Sequence, residues 1–227
     1  MTREEFHQQF PKLKENYKPN VDVSKHISQL TLLMVVGPSG VGKSTVMKQL
    51  GYAYVPSDTT RQQTDSEING VDYVFRQDYD QIYKEIQDGQ YVQFVIGPAG
   101  EFYGTKDSSY PAFGIAMMAV VAKEIENFRT LGFGQTITAF VTPQSFDEWM
   151  RRFDNYRSLT ADKRERRLIE GGQSLELSLS DSETRFILND QVGEAARQIE
   201  ELLGGKRDIE REKAARNAAQ AMLDGIN

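Results

Sequence analysis

Apolar positions in this chain come in short unbroken runs separated by segments of helical spacing. "LTLLMVV", Leu30 to Val36, is continuously apolar and closed by Gly37 and Pro38, the pattern of a strand buried on both faces. Similar runs recur as "IAMMAVVA" (115–122), "ITAFV" (137–141) and "RFIL" (185–188). Between and around them lie helical patterns: "STVMKQL", "QDYDQIYKEIQDG", "KEIENFRTL", "SFDEWMRRF" and "GEAARQIEELL". Strands alternating with helices predict an α/β fold with a parallel sheet and right-handed crossovers. Residues 1–29 are polar and contain Pro11 and Pro19, which predicts an irregular or partly helical arm without a long helix. In the closing stretch, 205–227, Ile209, Ala215, Ala219 and Met222 fall near helical spacing and predict an added terminal helix.

Composition narrows the class. The 227 residues are 39% hydrophobic and 26% charged, an ordinary globular balance, and the length suits one domain of generous size. A net charge of -6 gives no basic footprint, so no nucleic-acid partner is expected. The absence of cysteine excludes disulfides and thiolate metal sites. The longest apolar runs are strand length, so neither a membrane span nor a signal peptide is expected, and the cytoplasm is the expected compartment. His7 and His26, both in the arm, read as surface residues. Nothing in the pattern specifies an oligomeric state.

Chemistry enters at "GPSGVGKST", residues 37–45. It satisfies G-x-x-x-x-G-K-[ST] and stands between a predicted strand and a predicted helix, as a phosphate-binding loop must. Main-chain amides of Gly37, Pro38, Ser39, Gly40, Val41 and Gly42, as far as each has one, and the start of the helix at Lys43, Ser44 and Thr45 would curl round the phosphates of ATP. Lys43 would neutralise the transferring phosphate, and the Ser44 hydroxyl would ligate Mg²⁺. The loop alone does not name a reaction, because many enzyme classes share it.

Further motifs follow in order: "S-x-T-T-R" from Ser57, "E-x-N-G-x-D-Y-x-F" from Glu67, "F-Y-G-T" from Phe102, "FVTPQSFDEWMRRF", "RERRLIEGG" and "RFILND". Together with the loop they resemble the guanylate kinase family, nucleoside monophosphate kinases that move the terminal phosphate of ATP to GMP. The resemblance covers about residues 30–203. It implies a P-loop NTPase fold whose parallel sheet is flanked by helices, with a small subdomain binding the nucleoside monophosphate and an Arg-rich lid. The expected boundaries are an arm at 1–29, a kinase-like domain at 30–204 with its acceptor insert at about 57–110 and lid at about 151–170, and an extension at 205–227. By resemblance Arg61, Tyr73 and Tyr103 hold the acceptor phosphate, Ser57 and Thr105 bind the base with Gly104 in the same set, and Asn189 lies near the adenine. A planar guanidinium fork and two rigid phenols suit a phosphate dianion. Arg152, Arg157 and Arg167 are the lid cations, Arg152 toward ATP, with Arg151, Arg164 and Arg166 open as substitutes. Asn69-Gly70 reads as a tight turn returning Tyr73 to the pocket.

Three departures bear on the acceptor. Thr64 stands where the family has a second phosphate-binding Arg. Gln93 stands where the family has a Glu that accepts from guanine, and an amide carries donors as well as an acceptor, which suits an edge such as adenine N6/N1 or hypoxanthine O6/N1. The run at 115–122 contains no acid where the family has an Asp; Glu124, a few residues on, is expected to face solvent on the next helix, compensation by it being the alternative. The reading is therefore an ATP- and Mg²⁺-dependent kinase acting on GMP or dGMP. Alternatives are another phosphorylated acceptor, or a non-catalytic module that grips phosphorylated ligands as the guanylate kinase-like domains of scaffolding proteins do; the intact loop and Arg-rich lid favour the enzyme.

Overall fold

The computed structural model describes residues 1–65, 67–97, 99–155 and 160–226. In chain order the elements are α1 (Arg3–Asn16), α2 (Val21–Ile27), β1 (Leu30–Val36), α3 (Lys43–Leu50), β2 (Ala53–Tyr54), β3 (Ser57–Thr59), β4 (Tyr73–Phe75), α4 (Tyr79–Gln87), β5 (Tyr91–Ile96), β6 (Phe102–Lys106), β7 (Gly114–Ala119), α5 (Ile125–Arg129), β8 (Gln135–Thr142), α6 (Phe146–Asn155), α7 (Ala161–Ser180), β9 (Arg185–Leu188), α8 (Val192–Leu203) and α9 (Ile209–Ile226). The fold is α/β, with a parallel sheet flanked by helices. Five strands pair in the order β2-β7-β1-β8-β9, with β8 and β9 parallel, and four more form a second sheet ordered β4-β3-β6-β5. Among the described residues no helix is long and apolar enough to cross a membrane.

Contacts cluster the chain into two units, one of Met1–Thr31, Ala53–Ala116 and Phe128–Gln135, the other of Leu32–Tyr52, Met117–Asn127 and Thr136–Asn227. In the second, Leu32 to Val36 are fully buried, as a continuously apolar central strand must be. Phe140 on β8 packs on Phe186 on β9 with ring centroids 5.1 Å apart. The terminal helix α9 forms and buries Ala215, Ala218, Ala219 and Met222, but Ile209, expected on the same face, is exposed. Its Arg211 binds Asp190 at 2.6 Å, just beyond β9.

The first unit is built on the four-stranded sheet. Phe6, Ile82, Ile86, Tyr91, Phe94 and Phe102 form its buried cluster. Phe6 comes from the arm, which is therefore part of this core. Contrary to the expectation of no long helix, α1 runs through Pro11 for 14 residues. Thr2 and Glu5 form a reciprocal capping box, and Phe6, Phe10 and Leu13 present one apolar side to the cluster. Proline inside a helix costs ~3 kcal/mol; a cap contributes about 1 kcal/mol and the fully buried phenyl of Phe6 a further ~2 kcal/mol, which together offset it.

The histidines also differ from expectation. His26 is half-buried, its Nδ1 2.6 Å from Asp107 Oδ1 and its Nε2 2.9 Å from the Pro111 carbonyl. His7 Nε2 is buried as well. The arm packs on the first unit's core through Phe6, so these two residues are half-buried rather than fully exposed.

Candidate functional site

Residues 37–42 join β1 to α3, and Gly42 takes a left-handed conformation (φ +98°) as the helix cap. The first intrahelical donors are Thr45 and Val46, both to the Gly42 carbonyl, so the Lys43 and Ser44 amides precede the ladder, as at any helix start. Ser44 and Thr45 are exposed on this first turn. Lys43 Nζ donates to the carbonyls of Gly37 at 2.5 Å and Pro38 at 2.9 Å. Burial, helped by the Arg167 cation, lowers its pKa to about 8. An ammonium held that far below its ordinary value is poised to gain from an incoming anion.

The loop is braced from behind. The Asn189 amide, buried after β9, donates to the Val41 carbonyl at 2.8 Å and fills the space a Cβ on Gly42 would need. Arg152 donates from Nε to Glu148 at 2.6 Å and from Nη2 to the Asn189 carbonyl at 3.1 Å. Its Nη1 reaches within 3.8 Å of the Gly42 Cβ direction. The guanidiniums of Arg151 and Arg152 pull the Glu148 carboxyl down to about 2. Trp149 is fully buried and its Nε1 donates to the Ser39 carbonyl at 2.9 Å. Thus α6 supplies the back wall of the loop. The sequence reading missed both Trp149 and Glu148. The signal was present: an aromatic residue one helical turn before Phe153 on an amphipathic helix.

Of the lid cations, Arg167 and Arg164 are exposed or partly so, Arg167 lying 3.4 Å from Glu170 and Arg164 3.0 Å from Asp154. Arg157 lies outside the described residues.

The acceptor residues follow from strand alternation. In β3 and β4, Ser57 pairs with Tyr73 and Thr59 with Phe75; in β3 and β6, Thr59 pairs with Tyr103; in β5 and β6, Gln93 pairs with Thr105 and Val95 with Tyr103. Paired residues share a face, so Ser57, Tyr73, Gln93, Tyr103 and Thr105 all belong to one side of the four-stranded sheet. Gly104 belongs to the other side, where a Cβ would stand 2.8 Å from Tyr91 and Phe102 atoms; its size is set by packing. On that far side Tyr91 donates to buried Asp58 at 2.7 Å and Arg76 binds Asp58 at 2.9 Å, with Glu85 as a further Arg76 partner. This ion network ties α4 to the sheet that carries the candidate site.

Arg61 follows β3 and stacks over Tyr73 and Phe75, its Cζ 4.9 and 5.3 Å from their centroids. The Tyr73 and Tyr103 rings are 6.3 Å apart. Burial, and the neighbouring Tyr103, push the Tyr73 phenol up, so it is a hydroxyl donor. A turn does form at Asn69-Gly70, the Val71 amide donating to the Ile68 carbonyl at 3.1 Å, but β4 beyond it pairs with β3 in parallel, so it is not a hairpin turn. Thr105 is fully buried, its Oγ1 2.9 Å from the Tyr110 hydroxyl. Glu67, inside a quoted motif but given no role from sequence, binds both Arg61 terminal nitrogens. Gly114–Ala119 contains no acid, and Glu124 accepts from Asn127 at 2.7 Å.

The guanylate kinase family model matches residues 29–206. The chain belongs to the guanylate kinase family. It is a guanylate kinase-like phosphotransferase. Among curated relatives, guanylate kinase of Oceanobacillus iheyensis is 28% identical over 207 residues, covering 86% of this chain and 97% of that protein. Guanylate kinase of Bacillus anthracis is 29% identical over the same span, with the same shares. The crystal structure of guanylate kinase from Anaplasma phagocytophilum has a TM-score of 0.52 and 19% identity, covering 87% of this chain and 95% of that one. That likeness is of fold, and it places this guanylate kinase family member in the P-loop architecture its motifs imply.

Proposed function

We propose that this chain transfers the terminal phosphate of ATP to a nucleoside monophosphate, with GMP or dGMP as the first expected acceptor. The observation that carries the reading is the sharing of one sheet face by Ser57, Tyr73, Gln93, Tyr103 and Thr105, with Arg61 stacked on Tyr73, in a chain that also carries the loop at 37–45. Curated relatives named guanylate kinase support it.

In this reading the loop amides and Lys43 hold the donor phosphates, and Arg61 with the Tyr73 and Tyr103 hydroxyls holds the acceptor phosphate. Phosphoryl transfer asks little covalent chemistry of the protein, so positioning and cations around the equatorial oxygens dominate. Lys43, Arg152, Arg157 and Arg167 are the cations in this proposal, and Asn189 supports the loop on the ATP side. Closure of the lid about them would exclude water as a competing acceptor. The Ser44 hydroxyl, exposed on the first turn of α3 just after the loop, offers the kind of oxygen ligand that suits a Mg²⁺ arriving on ATP. Bound there, the ion would neutralise donor phosphate charge. The cytoplasm is the compartment this reading assigns.

A second reading keeps the reaction and changes the base. Gln93 offers donors and an acceptor, and Gly114–Ala119 brings no carboxylate, so AMP, IMP or another phosphorylated acceptor competes with GMP. The test is a steady-state comparison of GMP, dGMP, AMP, IMP and UMP with Mg-ATP, using Lys43→Ala as control. Turnover of one or more acceptors that is lost in Lys43→Ala supports the proposal. Binding of Mg-ATP without transfer to any nucleotide overturns it in favour of a phosphoryl-ligand binding module.

A further inference from the structure

Arg61 presents its planar edge to a carboxylate of the same chain. Nη1 and Nη2 donate to the two Glu67 oxygens at 3.0 and 2.8 Å, a fork-to-fork pair of the kind that also binds phosphate. The carboxylate is fixed from the other side, since Glu67 Oε2 accepts from the Thr64 amide at 2.9 Å and from Thr64 Oγ1 at 2.7 Å. The Arg61 and Glu67 side chains are only 25% and 13% exposed. The guanidinium face is taken by Tyr73 and Phe75 and Nη1 also donates to the Gln62 carbonyl at 2.8 Å, so an incoming anion must come to the edge that Glu67 holds.

Charge sharpens the point. Arg61 and Glu67 sum to zero, and Thr64 adds no positive charge where the resemblance sets a second Arg. An acceptor phosphate seeking the Nη1–Nη2 edge meets a carboxylate that occupies the same donors. Even after displacement, the Thr64 amide and hydroxyl keep that carboxylate close to the phosphate.

We propose that Glu67 is a specificity-determining residue of the acceptor clamp, an internal competitor that admits only a dianionic phosphate monoester to Arg61 and holds affinity for it low. A dianion can outbid a carboxylate for a bidentate guanidinium; a phosphodiester or a protonated monoester, with one negative charge, competes poorly. The inference rests on the proposed acceptor function and concerns which ligand charge that same site selects. If Glu67 instead only orients Arg61, its removal should weaken acceptor binding.

The test uses GMP with the full-length protein and the variants Glu67→Gln and Thr64→Val. E67Q keeps shape and removes the charge; T64V keeps the carboxylate and the main-chain donor but removes the hydroxyl tether. E67Q is expected to lower KM for GMP about tenfold, and T64V about twofold, with KM for ATP unchanged. The KM for GMP in E67Q should also rise more steeply with salt, because its clamp carries a net positive charge. An unchanged or raised KM for GMP in both variants, with the wild type still phosphorylating GMP, overturns the inference and leaves the function standing. Failure of the wild type to bind or phosphorylate GMP overturns both.

Discussion

The indole Nε1 of Trp149 donates to the main-chain carbonyl of Ser39 at 2.9 Å, so the chain's single tryptophan is built into the back of the phosphate loop. A loop that must hold its amides in one curved arrangement gains from such a fixed partner, because less order has to be imposed when phosphate binds. Trp149→Phe keeps the ring packing and removes the donor, a loss of about 1 kcal/mol. The expected outcome is a KM for ATP raised roughly three- to tenfold with KM for the acceptor unchanged. Steady-state kinetics against both substrates checks it; an unmoved KM for ATP in a folded variant would show that the indole only fills space.

Lys43 supplies a proton-linked signature of the same loop. Burial and the Arg167 cation lower its pKa to about 8 in the free protein. An anionic phosphate chain replaces main-chain carbonyls as the partner of the ammonium and favours the charged form. ATP binding is therefore expected to take up about half a proton at pH ~8, where the free side chain is about half protonated. Calorimetry in two buffers of different ionisation heat measures the uptake, and Lys43→Met should abolish it. No uptake by the wild type would mean that Lys43 is already fully charged in the open loop.

Much of this site was legible in the sequence because the chemistry is local. The loop needs Gly42 and Lys43 at fixed spacing between a strand and a helix, and a nine-residue window shows both. The acceptor residues were picked out by resemblance to the family's motifs; that Tyr73, Gln93 and Tyr103 share one side of a sheet came only with the strand pairings. Gly104 shows the limit of that route: it sits inside the "F-Y-G-T" motif but faces the other way, where Tyr91 presses on it. What stayed hidden depends on long-range packing. Trp149 reaches Ser39 across 110 positions, and Phe6 enters a core of residues 82–102. Pro11 does not end α1 because the Phe6 cluster, not visible locally, offsets its backbone cost.

Gln93 gives the acceptor reading its sharpest check. It shares a face with Thr105 and Ser57, where a base would lie in the proposed pocket. A carboxylate there only accepts, matching guanine's N1–H and amino group, whereas the amide also donates. Gln93→Glu is expected to raise the preference for GMP over AMP and IMP by roughly one to two orders of magnitude, the range for a buried hydrogen-bond mismatch. The ratio of kcat/KM values for the three acceptors measures it. Selectivity that does not move removes Gln93 from the base.

The arm is expected to matter to the acceptor side of the reaction. The edge strand β5, which carries Gln93, has its Phe94 carbonyl bound by Lys14 Nζ at 2.6 Å and its Tyr91 carbonyl bound by the Tyr17 hydroxyl. Arg3 holds the following turn through the Ala99 carbonyl at 2.7 Å. These contacts cover an edge that would otherwise expose unpaired main-chain groups. Tyr17→Phe combined with Lys14→Met should cost about 2 kcal/mol of stability and raise KM for the acceptor more than KM for ATP. Chemical denaturation and kinetics together check it; equal effects on both substrates would reduce the arm to a general stabiliser.

His26 makes the stability of the arm depend on pH. Its two ring nitrogens face acceptors, the Asp107 carboxylate at 2.6 Å and the Pro111 carbonyl at 2.9 Å, and only the imidazolium donates to both. The Asp107 hydrogen bond raises the His26 pKa above its ordinary 6.5. A raised value means that the folded state binds the proton more tightly than the unfolded chain, so the contribution is full below pH 6.5 and fades as pH rises through the folded value. His26→Gln loses the titration. The stability difference between wild type and His26→Gln, from urea melts across about pH 5 to 9, is expected to shrink by about 1 kcal/mol with rising pH. A difference that stays flat would show His26 bound as a neutral ring, with Asp107 or Pro111 contacted through water.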